Sequence, residues 1–156
     1  MNVADVMTRN PMTIDPEAPI ATAMVTMRER ALRHLPVVDD RGRLVGMITD
    51  RDLRSAAFAP AVAEYLSAVA QRRLRGISQA LEDLRVRDTM TWDAITIGPD
   101  APVAQAAAIM FEGRFSSLPV VDGGRLVGIV TERDVLKALA KTLPSVRGVD
   151  PDTFLW

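Results

Sequence analysis

An α+β fold built from two copies of one β-α-β-β-α unit is predicted by three observations. The stretch HLPVVDDRGRLVGMITDRDL, from His34 to Leu53, returns as SLPVVDGGRLVGIVTERDV from Ser117 to Val135. Upstream, VADVMTRNPMTI (Val3 to Ile14) returns as VRDTMTWDAITI (Val86 to Ile97), at an offset of 83, since 90 − 7 = 83 for Met90 and Met7. Within each copy, a segment with apolar residues at three- and four-residue spacing lies between short β-rich runs. A unit of about fifty residues buries too little surface to be secure alone. Two such units pressed sheet to sheet would remedy that.

The elements follow in order. Met12-Thr13-Ile14 and Ile95-Thr96-Ile97 read as short strands. Pro19 and Pro102 then fall at the expected first turn of a helix, where a missing N–H costs nothing. That helix carries Ile20, Ala23, Met24 and Met27 on one face, matched by Val103, Ala106, Ala107 and Met110. Leu35 to Val38 is a second strand, Asp39 to Gly42 a turn, and Arg43 to Thr49 a third strand. A second helix begins at Asp50. After Asp39 and Asp122 the offset drops to 82, because the first turn, DDRGR, is one residue longer than DGGR. A hairpin loop is where a repeat best tolerates such a change.

Residues 55–85 have no counterpart in the repeat. Phe58, Val62, Leu66 and Val69 mark one helical stripe, and Ile77, Leu81 and Leu84 another. Gly76 followed by Ser78 marks a stop and a new N-cap between them. The expected organisation is a first repeat over 1–54, a helical linker over 55–85, a second repeat over 86–140 and a tail over 141–156. The tail ends in the apolar Phe154-Leu155-Trp156.

Composition excludes several classes. The 156 residues carry a formal net charge of −1 and 4% aromatics, which argues against a nucleic-acid binder. There is no cysteine, hence no disulfide, thiol catalysis or cysteine-ligated zinc, in keeping with a cytoplasmic protein. The N-terminus lacks a signal-peptide pattern, and no apolar run approaches the ~20 residues of a membrane span.

The chemistry-bearing frame is G-h-h-T-x-x-D, with h apolar, from Gly46 to Asp52 and from Gly128 to Asp134. One reading makes Thr49 and Thr131 helix N-caps, with Asp52 and Asp134 completing a capping box. The other adds a ligand. The carboxylate accepts hydrogen bonds from a vicinal diol such as ribose offers, the glycine lets a flat base approach the backbone, and the helix N-terminus favours phosphate. His34 is the sole histidine, and either bonds at the surface or meets a phosphate; no catalytic partner accompanies it. Arg51 and Arg133 either reach phosphate or lie on a solvated helix face. The acidic pairs Asp50 with Asp52 and Glu132 with Asp134 are explained by the helix dipole without a metal. Gly123-Gly124-Arg125-Leu126-Val127-Gly128 lies in a strand-turn-strand context, so it is not a dinucleotide loop.

In this order, and twice over, M-T…h-T-h, h-P-V-V-D and G-h-h-T-x-x-D resemble the cystathionine-β-synthase (CBS) domain. The resemblance covers Val3 to Leu53 and Val86 to Lys137. It implies a stand-alone CBS-domain pair with a pseudo-twofold axis and two clefts for adenine nucleotides or related adenosyl ligands. It assigns ribose to Thr49, Asp52, Thr131 and Asp134. It assigns the base to Thr13, Ile14 and Pro36, and to Thr96, Ile97 and Pro119. It assigns phosphate to Arg30, Arg33 and His34, and to Arg114, Ser116 and Ser117, with Arg51 and Arg133 as further candidates. It implies a homodimer that regulates an unidentified protein, with no catalysis, no required cofactor and no metal. The rival expectation is a ligand-free dimerisation module in which T-x-x-D only caps helices. S-Adenosylmethionine and NAD remain alternative ligands.

Overall fold

A computed structural model describes residues 1–56 and 83–142. The linker stripes from Phe58 to Leu81 and the tail beyond residue 142 lie outside these; Leu84 lies within them and packs on the first core. Among the described residues there are six strands: β1 (Thr8–Arg9), β2 (His34–Val38), β3 (Leu44–Thr49), β4 (Thr91–Trp92), β5 (Ser117–Asp122) and β6 (Arg125–Thr131). The α-helices of the repeats, among the same residues, are α1 (Ile20–Glu29), α2 (described over 50–56), α3 (Val103–Gly113) and α4 (Glu132–Thr142).

Each hairpin forms as its sequence dictates. β2 pairs antiparallel with β3, and β5 with β6. The turn between β5 and β6 uses Gly123 and Gly124 at φ +53° and +80°, the left-handed pair of a tight hairpin turn. The longer first turn is held by Asp39 instead. Its carboxylate accepts the N–H groups of Arg41 and Arg43 and pairs with the Arg43 guanidinium at 2.7 Å. These hydrogen bonds, the Arg43 N–H foremost, hold the Asp39 carboxyl below its ordinary range.

The two sheets run β2-β3-β4 and β1-β6-β5. The third strand of each therefore comes from the other repeat. β4 of the second repeat pairs with β3 through Trp92↔Gly46 and Thr91↔Met47, while β1 of the first pairs with β6 through Thr8↔Ile129 and Arg9↔Gly128. The exchange begins upstream, in the 3-10 turns Val3–Asp5 and Val86–Asp88. The Val3 N–H donates to the Ala101 carbonyl at 2.8 Å, and the Val86 N–H to that of Ala18 at 2.9 Å. Both valines are fully buried, Val3 in the second core and Val86 in the first. Each such burial is worth about 1.5–3 kcal/mol.

Two expectations are corrected here. Met12–Ile14 and Ile95–Ile97 do not form strands; each is reduced to one parallel bridge, Ile14↔Val37 and Ile97↔Val120. The true short strands lie four to five residues upstream, where they pair with the edge of the opposite repeat's sheet. Pro19 and Pro102 sit at the N-cap, one residue before the first helical turn. In addition, the glycines of G-h-h-T-x-x-D each leave room for a neighbouring strand. A Cβ on Gly46 would collide with the Thr91 carbonyl oxygen, and one on Gly128 would lie 2.5 Å from the Met7 sulfur.

Each core is compact. The first gathers Ile20, Ala23 and Met27 from α1 with Leu35, Val37, Ile48 and Leu53. The second gathers Ala106 and Met110 with Leu118, Val120 and Val130. Met24, expected on the apolar face of α1, is exposed. Pro36, Met47, Pro119 and Ile129 are buried on the reverse faces, so both sheets are covered on both sides. No described helix is long and apolar enough to cross a membrane.

Candidate functional site

The T-x-x-D pairs occupy the junctions β3–α2 and β6–α4. Thr49 ends a strand and caps the helix that starts at Asp50. Its N–H and hydroxyl both donate to Asp52 Oδ2, at 2.8 and 2.7 Å, and the Asp52 N–H donates back to Thr49 Oγ1 at 3.3 Å. Thr131 and Asp134 repeat the arrangement at 2.9, 2.6 and 3.4 Å. The capping box is thus formed in both repeats. It also fixes the carboxylates, each half-buried, with Oδ2 engaged and Oδ1 accepting no hydrogen bond from the described residues. A carboxylate held in one rotamer with a free oxygen is suited to receive a diol.

The base-contact candidates divide by exposure. Thr13 and Thr96 are exposed, and neither backbone is hydrogen-bonded among the described residues. Ile14 and Ile97 point into the cores, and their N–H groups donate to the carbonyls of Pro36 and Pro119 at 3.0 and 3.1 Å. Both prolines are almost completely buried.

The segments before β2 and β5 are strapped to the helix starts. The Asp50 N–H donates to the Arg33 carbonyl at 2.9 Å, and the Glu132 N–H to the Ser116 carbonyl at 3.1 Å. These two straps are equivalent under the repeat. His34 then bridges the copies: its Nε2 and Ser116 Oγ share a hydrogen bond of 2.8 Å. His34 is half-buried, and the hydrogen bond it makes crosses to the other repeat. Burial lowers its pKa from the ordinary 6.5, and Arg33 adds to this, while Asp50, Glu132 and Asp52 oppose it. Carboxylates from the starts of both α2 and α4 therefore act on one imidazole. Sequence reasoning assigned Asp50 and Glu132 to the helix dipole alone; nothing in a linear pattern reveals that the two helix starts share a neighbour.

Arg30, Arg33, Arg51, Arg114 and Arg133 are exposed, and none has a carboxylate within ion-pair distance among the described residues. Elsewhere arginines do pair: Arg54 with Asp50 at 3.0 Å, and Arg87 with Glu17. Arg114 follows α3 in the left-handed conformation, φ +55°, and lines an open depression of ≈ 560 Å³ with Met110, Phe111, Glu112 and Glu132. Ser117 opens β5 and is half-buried. No group of three or more acidic or histidine side chains is placed to hold a metal ion among the described residues.

A family model described as CBS domain matches residues 3–59 and 86–141. A CBS domain-containing protein of Dictyostelium discoideum is 35% identical over 148 residues, covering 92% of this chain and 94% of that protein. Homoserine O-acetyltransferase of Methanococcoides burtonii is 38% identical over 135 residues, covering 86% of this chain; the chain spans only 23% of that enzyme. Among solved structures, CBSX2 of Arabidopsis thaliana in complex with AMP is 28% identical with a TM-score of 0.70, covering 90% of this chain and 96% of that one. The CBS domain pair of protein MJ0100, in complex with 5′-methylthioadenosine and S-adenosyl-L-methionine, is 28% identical with a TM-score of 0.70, covering 92% and 98%.

Proposed function

This chain belongs to the CBS-domain family, as a tandem pair, and from that premise we propose that it is a regulatory module binding an adenine nucleotide of the AMP, ADP or ATP type in clefts between its repeats. The observation that carries the reading is the pair of pre-set carboxylates, Asp52 and Asp134, each with one oxygen engaged by its own threonine and the other without a partner among the described residues. The five arginines without a carboxylate partner among the described residues favour a ligand bearing phosphate over a cationic sulfonium ligand. The adenosyl ligands of the two similar structures support the chemical class.

In this reading Thr49 with Asp52 and Thr131 with Asp134 hold ribose, and Thr13 and Thr96 present free backbone to the base beside Ile14, Pro36, Ile97 and Pro119. The phosphates meet Arg30, Arg33, His34, Arg51, Arg114, Ser116 and Arg133. The unit acts by changing what a regulated partner sees, without catalysis of its own. The repeats at 1–54 and 86–140 form the ligand-binding unit, flanked by the linker and tail. The pair forms a homodimer in the cytoplasm; light scattering of the full chain measures the association, and a monomer would refute it.

Isothermal titration with AMP, ADP, ATP, S-adenosylmethionine and NAD tests the ligand. Hydrogen bonds to a charged group are worth roughly 1.5–3 kcal/mol, so Asp52→Ala or Asp134→Ala should weaken binding about tenfold or more at the occupied site. Absence of heat with every adenosyl ligand would instead favour the ligand-free dimerisation module. The complete capping boxes already account for T-x-x-D on that second reading.

A further inference from the structure

The His34–Ser116 hydrogen bond joins the very segments that approach each other from the two repeats. His34 begins β2, and Ser116 immediately precedes β5. Each segment is tied through its backbone to the helix that carries a T-x-x-D carboxylate: Arg33 to Asp50, and Ser116 to Glu132. A change at the His34–Ser116 contact is therefore one hydrogen bond away from the start of either helix. The charged groups acting on His34 are Arg33 beside it, Asp50 and Asp52 from α2, and Glu132 from α4.

We infer that the His34–Ser116 hydrogen bond is a latch between the two repeats, that an anionic ligand group opens it by competing for the imidazole, and that ligand binding is thereby coupled to proton uptake on His34. The inference rests on the adenine-nucleotide reading and adds a regulatory input, pH, to it. In the free protein, burial lowers the ring's pKa, opposed by Asp50 and aided by Arg33, and so favours the neutral form. A neutral ring shares one proton or lone pair with the Ser116 hydroxyl. A phosphate brings negative charge to the ring, favours the imidazolium, and gives its N–H groups a stronger acceptor than a hydroxyl. Protonation and release of Ser116 then occur together. The step balances as proton uptake from solvent, with no covalent change.

The chain has one histidine, so its imidazole resonances belong to His34 alone. NMR titration of the full chain, free and with AMP or adenosine, follows them directly. In the free protein His34 should titrate below 6.5, and Ser116→Ala should move its Nε2 resonance. AMP should raise the titration midpoint, whereas adenosine, with the same base and ribose but no phosphate, should not. AMP affinity of the wild type should rise several-fold between about pH 7.5 and about pH 6 beyond any change in His34→Gln, which controls for titration of the nucleotide's own phosphate near ~6. Tight binding of both ligands with His34 unmoved would overturn the latch and leave the nucleotide reading standing. Binding of neither ligand would overturn both. An Nε2 resonance indifferent to Ser116→Ala would overturn the latch whatever the ligand does.

Discussion

Replacing Gly46 and Gly128 by alanine should have unequal effects, although the two are equivalent under the repeat. At Gly46 the new methyl group would meet the Thr91 carbonyl oxygen, with Met90 Cε and Sδ at 3.3 Å behind it. That carbonyl belongs to β4, which is paired to β3 at Thr91↔Met47 and Trp92↔Gly46. It cannot step aside without straining the pairing. Overpacking of this kind costs about 1–3 kcal/mol, and a backbone obstacle places Gly46→Ala at the upper end. At Gly128 the nearest atom is the Met7 sulfur at 2.5 Å, followed by Met7 Cγ and the Thr8 carbonyl, both at 3.1 Å. A methionine side chain can rotate away. Removing a strand glycine also returns about 0.5–1 kcal/mol of backbone entropy, so Gly128→Ala should fall within about 1 kcal/mol of wild type. At about 2–4 °C per kcal/mol for a chain of this size, melting points should fall by about 5–10 °C for Gly46→Ala and by less than about 4 °C for Gly128→Ala. Urea and thermal unfolding followed by circular dichroism measure both. Equal losses, or a larger one at Gly128, would refute the obstacle argument. A stable Gly128→Ala protein that no longer binds nucleotide would return the glycine to the role of admitting a base.

The His34 pKa is depressed in the folded protein, so the unfolded chain takes up the proton first on acidification. Its contribution to stability is present above the unfolded value and is lost as pH falls through 6.5 toward the folded value. Thermal melts of His34→Gln across that window should lack this component of the slope. Ala31 occupies the left-handed region at φ +51°, and Ala31→Gly should stabilise the protein by up to about 1 kcal/mol in urea melts; a loss would show that the methyl group packs usefully. Asp52→Ala removes the acceptor for the Thr49 N–H and hydroxyl, and should cost about 1 kcal/mol in the same assay independently of any ligand.

Much of the fold was legible because the repeat doubled every signal. The hairpins, the helix starts at Asp50 and Glu132 and the capping boxes follow from alternation, turn residues and T-x-x-D spacing. What was not legible is which sheet each short strand joins. β1 and β4 have two residues each, too few for a period, and the repeats present near-identical sheets to both. The candidate site shows the same division. Thr49, Asp52, Thr131 and Asp134 are positioned by local hydrogen bonds that a linear motif can encode. The His34–Ser116 contact spans 82 residues and depends on how two repeats meet. The deep burial of Val3 and Val86 also reflects that meeting, and both positions were visible only as members of a recurring motif.

The traded N-terminal segments bear on what counts as a unit of folding in this chain. Severed between its repeats, it would yield two pieces, each holding the edge strand and the buried valine that the other lacks. Neither piece alone would present a finished sheet, yet mixing them should restore both. Two copies of either piece could meet the same need by trading segments with each other. The order of pieces along one polypeptide is thus a convenience of delivery; the obligation to reciprocate is written into each repeat's first ten residues.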